Sequence, residues 1–486
     1  MATATASTSE MLASVRADVG NGGAIESAEW MNQIVAQLWP FISTFIQTTL
    51  KRDVEPLVNE QVPTWLGSLS FGKVSLGSTP LRIEGLDVIS TGPAGTRLEA
   101  DIYYDGDAAV SIDVVTKLLG TLSLGVQHIK LSGTIQFVMS PLVPVLPLMA
   151  ATQLAFINRP TIAMDLTGLA DVDQAASIKT TISNTIVNVL SGLLVLPNRV
   201  AAKVDPAADY FETYVPPAGV LRGTVAAGRN FVPQAGFFTT DDPDVYVIAT
   251  LGGVSTTTPT VNNNVAPVWG TPFSFLVHNV RQALSLAAWE DDTAGDDALG
   301  VGAISAADLT ASGEAWLPIA PAPTADGAAA PPAGDVQLTG HLHGLDVAAP
   351  LTETDDPAAP IGLLVALIDG ATGLAPGVAA SARLRLTGSK EVVEKATAVA
   401  AVTAEAPVAA WNAMFELLVG AADVASGVLA LDVLDGGSEG VGGLKLPLSS
   451  IVAAPSRTVV MDKGLLEGGS STGSVRVKFF LYGISA

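Results

Sequence analysis

LSGTIQFVMSPLVPVLPLMAATQLAFIN, residues 131–158, is a run of 28 residues without a charged side chain. A run of that length is enough to cross a bilayer as a helix, which takes about 20 residues. Pro141, Pro144 and Pro147 argue against this. Each lacks an amide donor and disturbs a helix from within, and the freed backbone groups would find no partner in lipid. The stretch therefore predicts a strand over 134–139, then an irregular apolar crossover packed inside protein. It leaves open whether that apolar surface faces protein alone or a ligand as well.

Outward from this run the sequence alternates. Leu81 and Ile83; Leu98, Ala100, Ile102 and Tyr104; Val110, Ile112 and Val114; Ile129 and Leu131; Ile135, Phe137 and Met139; and Ile162, Met164 and Leu166 all fall on alternate positions, the period of strands with one apolar face. A helical pattern stands at each end. Trp30, Ile34, Leu38, Phe41 or Ile42, and Phe45 recur at three-to-four spacing behind Glu26 and Glu29, with a kink expected at Pro40. Ile178, Ile182, Ile186 and Leu190 repeat every four residues within 174–194. A filled core and an apolar groove both fit this alternation.

The totals narrow the choice of function. A chain of 486 residues holds two to four domains. Its 47 glycines and 30 prolines suit a β-rich fold with many turns. The absence of cysteine excludes disulfides, thiolate metal sites and cysteine nucleophiles. A net charge of −23 argues against nucleic-acid binding and disfavours simple electrostatic attachment to anionic membranes. Residues 1–24 read as a disordered leader without a secretory signal.

Five motifs then occur in one order: EWMNQIVAQLWPFI (29–42), LGSTPLRIEGLDV (76–88), PLVPVLPL (141–148), MDLTGLAD (164–171) and VLPNR (195–199). Together they resemble the SMP (synaptotagmin-like, mitochondrial, lipid-binding) domain of the extended and plant synaptotagmins, over residues 25–204. The resemblance implies a β-rich α+β fold, a TULIP-like lipid-filled half-barrel. It also implies end-to-end homodimerisation and carriage of glycerophospholipids between membranes. An acyl chain leaving a bilayer loses about 0.8 kcal/mol per exposed CH₂, so a carrier needs an apolar groove. From period alone the candidate lining residues are Ile102, Ile112, Phe137, Met139, Met164 and Ile186.

After the linker DPAADYFETYVPPAG (205–219), the segments TDDPDVYVIATL, PVWGTPFSFLV, SLAAWEDDTAGDDALGVGAI and AWLPI resemble a C2 domain, placed at 217–347. Such domains are antiparallel β-sandwiches whose loops at one end hold Ca²⁺ with carboxylates. Carried over, the metal candidates are Asp241, Asp242, Glu290, Asp292 and Asp297, with Asp291 and Asp296 beside them. The family's first loop-one aspartate is replaced near Gln234–Gly236, which lowers the expected affinity. Phe237 and Phe238 are candidates for a membrane-inserting tip. His341 and His343 stand two apart as a metal pair without a third ligand nearby. Residues 360–486 resemble a second, degenerate C2 domain that keeps only Asp369, Asp435 and Glu439.

These readings predict a protein that transfers lipid between apposed membranes. Its partners are phospholipids, membrane surfaces and a second copy through the SMP domain, and its C2 docking uses Ca²⁺. It would sit as a cytoplasmic, peripheral protein at membrane contact sites, endoplasmic reticulum to plasma membrane, with no membrane anchor in this chain. The alternative is a C2-based tether or scaffold without transfer. An enzyme ranks last, for it needs a nucleophile with a base, and His341 and His343, the two histidines close in sequence, lie late in a sandwich strand.

Overall fold

The computed structural model describes residues 28–485 except 62–66, 91–94, 117–119, 169–174, 233, 236–239, 293–294, 322–330, 353–355, 357–358, 389–391, 406, 437–438 and 468–469. The expected leader, and Phe237 and Phe238, lie outside the described residues. The chain divides into two compact units, which meet between Ala208 and Asp209.

In the first unit, helix α1 (Glu29–Thr49) runs on through Pro40, widens into a π-turn at Leu50–Val54 and is followed by α2 (Glu55–Gln61). Strands β1 (Ser68–Ser75), β2 (Arg82–Ser90), β3 (Thr96–Asp105), β4 (Ala109–Thr116), β5 (Gly120–Met139), β6 (Ala151–Phe156) and β7 (Thr161–Thr167) come next, then α3 (Ala175–Leu194) and β8 (Val200–Lys203). All belong to one antiparallel sheet with the main order β1-β4-β5-β3-β2.

The 20-residue β5 is its spine. The first half pairs with β4 and β7, the second with β3 and β6. Its apolar residues change phase midway, from Leu122, Leu124 and Val126 to Ile129, Leu131, Ile135 and Phe137. A β-bulge between Gln127 and Lys130, with His128 at φ 49°, absorbs that change. An added residue rotates the strand by one step, so both series face the same side. One apolar face thus runs the whole length of β5.

α1 is fastened to backbone groups of the turn after β1 and of the start of β2. Trp39 Nε1 donates to the Gly77 carbonyl at 3.2 Å, and Asn32 pairs with Ile83 through both its carbonyl and its amide, at 2.9 and 2.7 Å. The turn itself is gripped by Asp107, which accepts from Ser78 N, Thr79 N and Ser78 Oγ at 2.8–2.9 Å. Gly77, at φ 71°, leaves room for that carboxylate, since a Cβ there would lie 2.1 Å from Asp107 Oδ1.

The proline-rich crossover departs from expectation. It pairs its own backbone, Ala150 N to Pro141 O and Val143 N to Leu148 O, at 2.9 and 3.0 Å. With those groups satisfied it has no need of burial. Leu142, Val145, Leu146 and Leu148 all stand exposed, Leu146 at 87%. Among the described residues no helix is long and apolar enough to span a membrane.

The second unit holds two antiparallel sandwiches. The first packs sheet β11-β10-β13-β14 on sheet β12-β9-β16-β15. Its strands are β9 (Gly219–Arg229), β10 (Val245–Leu251), β11 (Val254–Thr257), β12 (Val268–Val277), β13 (Ala283–Glu290), β14 (Asp297–Ser305), β15 (Glu314–Ile319) and β16 (Gly334–His343). In the second sandwich, β17 (Leu345–Asp346), β18 (Gly362–Thr372), β21 (Val408–Val419), β24 (Thr458–Glu467) and β25 (Ser470–Ile484) form one sheet. β19 (Ala379–Thr387), β20 (Val393–Ala396), β22 (Val428–Asp435) and β23 (Glu439–Pro447) form the other.

Candidate functional site

Directly paired residues of antiparallel neighbours point to the same side of a sheet. Val88 pairs with Leu98, Leu98 with Phe137, Phe137 with Leu154 and Leu154 with Val200. An unbroken apolar row therefore crosses β2, β3, β5, β6 and β8. It is open: Val88 is 63% exposed, Val200 51% and Leu154 37%. The next row, Leu86, Ala100, Ile135 and Phe156, is closed by Ala28 and Met31 at the start of α1. The apolar face thus passes from a covered end to an uncovered one within one residue pair.

The six expected lining residues divide along this face. Phe137 and Met139 lie at the open end, both half-buried. Ile102 is buried under the start of α1. Ile112 is buried in a core formed with α2, α3 and the π-turn, against which Met164 and Ile186 pack. Five of them share one side of the sheet and Ile186 packs over it from α3, but only Phe137 and Met139 lie where the surface is open. Sequence period alone missed Leu154 and Val200 because β6 and β8 are too short to show alternation, and Val88 because a register shift between Ile83 and Gly85 breaks the alternation of β2.

The stripe read from the spacing of α1 is not the side of the helix that packs. Trp30, Ile34, Leu38, Phe41 and Phe45, spaced as a core-facing series, are the exposed residues, Phe41 at 73%. The packed side is Met31, Val35, Trp39 and Ile42. The helix is apolar on two adjacent faces, so spacing could not tell which of them is covered.

At the loop end of the first sandwich, Glu290 and Asp297 stand opposite each other across the β13–β14 pair. Asp242 is exposed just before β10, and Asp292 is exposed just after β13. The side chain of Asp241 is outside the described residues. The neighbouring acids have structural work. Asp291 accepts from Thr260 Oγ1 at 3.0 Å, Asp244 from the Asn263 amide at 2.6 Å and Asp296 from the Tyr246 hydroxyl at 2.7 Å. That last bond, with burial adding to it, pushes the Tyr246 phenol up to about 12. Among the described residues no three such side chains converge as a ready metal cage.

In the second sandwich two of the retained carboxylates are engaged elsewhere. Asp369 is paired with Arg476 at 2.7 Å, and Asp435 accepts from the Ala379 amide at 2.8 Å. The side chain of Glu439 lies outside the described residues. The rings of His341 and His343 lie 6.1 Å apart. His343 faces the Ser485 carbonyl at 3.1 Å, and burial pushes its imidazole below the usual range.

Comparison with known proteins agrees with this architecture. Residues 24–204 match the family described as the synaptotagmin-like mitochondrial-lipid-binding domain, and residues 219–319 match the C2 domain. Extended synaptotagmin-3 of Xenopus tropicalis is 29% identical over 283 residues, which cover 57% of this chain and 31% of that protein. Extended synaptotagmin-1 of Homo sapiens is 29% identical over 287 residues, which cover 57% of this chain and 25% of that protein. The matched region spans under a third of the length of either relative. The solved SMP–C2A–C2B structure of extended synaptotagmin 2 superposes over 94% of this chain and 99% of its own, with a TM-score of 0.65 and 22% identity, a likeness of fold.

Proposed function

We propose that this chain, an SMP half-barrel followed by two C2 sandwiches and similar to the extended synaptotagmins, binds glycerophospholipids and transfers them between apposed membranes. The observation that carries the reading is the open row Val88–Leu98–Phe137–Leu154–Val200. A contiguous apolar surface of this kind is costly in water and marks a ligand or membrane contact. Acyl chains laid along it recover about 0.8 kcal/mol for each CH₂ withdrawn from water. Phe137 and Met139 are the lining residues retained from the sequence, joined by Val88, Leu154 and Val200. Ile102, Ile112, Met164 and Ile186 form the packed end of the same face.

The finer parts of the reading belong to the same proposal. Domain boundaries fall at 25–204, 217–347 and 360–486. Homodimerisation uses the lipid-binding domain, and the chain works as a peripheral protein at contacts between endoplasmic reticulum and plasma membrane. Ca²⁺ binds weakly at Asp241, Asp242, Glu290, Asp292 and Asp297, where few charged ligands mean a high Kd, and Phe237 and Phe238 enter the membrane. Transfer of fluorescent phospholipid between liposomes tests the central reading. Leu154→Asp, with its side chain on the open row, should abolish transfer while the fold persists. Normal transfer by the folded variant would leave the tether reading in place.

A further inference from the structure

The segment joining the lipid-binding unit to the first sandwich is not spent as a loose linker. Asp209 caps a 3₁₀ turn, Tyr210–Glu212, by accepting from the Phe211 amide at 3.0 Å. Tyr210 and Phe211 are buried in a cluster with Leu363, Val365, Leu367 and Phe480, on the outer face of a second-sandwich sheet. Tyr214 meets Phe480 edge-on, with ring centres 5.2 Å apart. The segment therefore covers the far sandwich before the chain enters the near one.

Both ends of this strap are held by charge. Arg476 donates to Asp209 and to Asp369, each at 2.7 Å, and its guanidinium lies 4.4 Å above the Phe211 ring. At the other end, Glu416 of β21 accepts from the Tyr214 hydroxyl at 2.9 Å. Its second oxygen lies 2.6 Å from Nε2 of His278, a residue of the first sandwich. The His278 and Glu416 side chains are only 3% and 7% accessible. The Glu416 charge also adds to the burial that pushes the Tyr482 phenol up to about 12.

We propose that residues 209–214 are a strap that fastens the two C2 sandwiches into one mechanical unit, with Glu416 as its fastening point. A carboxylate taken out of water is tolerated only when its oxygens are satisfied. Here one oxygen is held by the strap and the other by the first sandwich, so three parts of the chain meet at the buried Glu416 carboxylate. The two membrane-docking modules then turn together, and releasing the strap uncouples them. The inference is independent of whether the first unit carries lipid.

The chain has no cysteine, so cysteines introduced for Val254 and Val399, both 60% exposed, will carry two spin labels in the full-length protein. The unsubstituted junction should give one narrow distance distribution, and Glu416→Ala a broad one. Hydrogen exchange reads the strap itself, through the bonded amides of Phe211, Glu212 and Thr213. Glu416→Ala should speed their exchange roughly 100-fold, the scale of losing hydrogen bonds to a buried charged group. Tyr214→Phe, which removes one hydrogen bond and keeps the ring, should speed it about 5-fold. If Glu416→Ala also exposes the core amides of Phe479 and Leu481, the second sandwich has unfolded, and Tyr214→Phe together with Arg476→Leu decides. A broad distribution in the unsubstituted protein, unprotected amides at 211–213, or unchanged exchange in both Tyr214→Phe and Arg476→Leu would overturn the proposal.

Discussion

Two neighbouring residues of β5 should respond oppositely to the same substitution. Phe137 sits on the open apolar row, whereas Val138 faces the other side and is 1% exposed. Val138→Asp gives up about 1.5–3 kcal/mol of apolar burial and adds about 1–3 kcal/mol for a buried carboxyl without an arranged partner. The total, roughly 2.5–6 kcal/mol, is a large share of the 5–15 kcal/mol typical of a domain. Phe137→Asp loses only half-buried contacts, roughly 1 kcal/mol, and its carboxylate reaches solvent over the open face. Hydrogen exchange of the β5 amides in the full chain isolates this unit from the sandwiches. We expect exchange faster by at least roughly 70-fold in Val138→Asp and by under about tenfold in Phe137→Asp. Lipid transfer should be lost in Phe137→Asp all the same. Equal destabilisation by the two, or normal transfer by Phe137→Asp, would show that the open row is assigned to the wrong side.

Further outcomes follow from other sites. Ile112→Ala, in the packed end, should cost about 2–5 kcal/mol by cavity formation, read by the same exchange experiment. The amides of Ser78 and Thr79 hold the Asp107 carboxyl far below the usual carboxylate range. Its stabilisation is therefore present above the unfolded pKa, near 4, and is lost as pH falls through the lower folded value. Asp107→Asn should flatten the acid side of the stability–pH curve, and an unchanged curve would remove that role. Liposome co-sedimentation of the full chain should increase at millimolar calcium and fall back in the Asp292→Asn/Asp297→Asn double variant. Sedimentation that is equal in chelator would leave these acids as a solvated surface.

Much of the fold was legible because its signals are local. Alternation in β3, β4 and β7 marked one apolar face, and three prolines ruled out a spanning helix at residues 131–158. Other features depended on tertiary contacts that no local pattern encodes. The α1 stripe is an example: two adjacent faces are apolar, and only docking through Asn32 and Trp39 selects which is covered. The phase change in β5 was visible as apolar residues at 126 and 129, a spacing that a regular strand cannot place on one side. The strap had a signal too. Leu363–Ile368 is an unbroken apolar run, as a strand buried on both faces requires, so something had to cover the outer side of β18. That the cover would be Tyr210 and Phe211, about 150 residues earlier, lay beyond any reading of the local pattern.

The central claim, that the first unit is a lipid carrier, is tested most directly by native mass spectrometry of the purified full-length chain. The account predicts a chain mass increased by bound diacyl phospholipid, lost on delipidation and restored on incubation with liposomes. Leu154→Asp should remain at the bare mass throughout. An unsubstituted chain that is bare on purification and stays bare after incubation would contradict it.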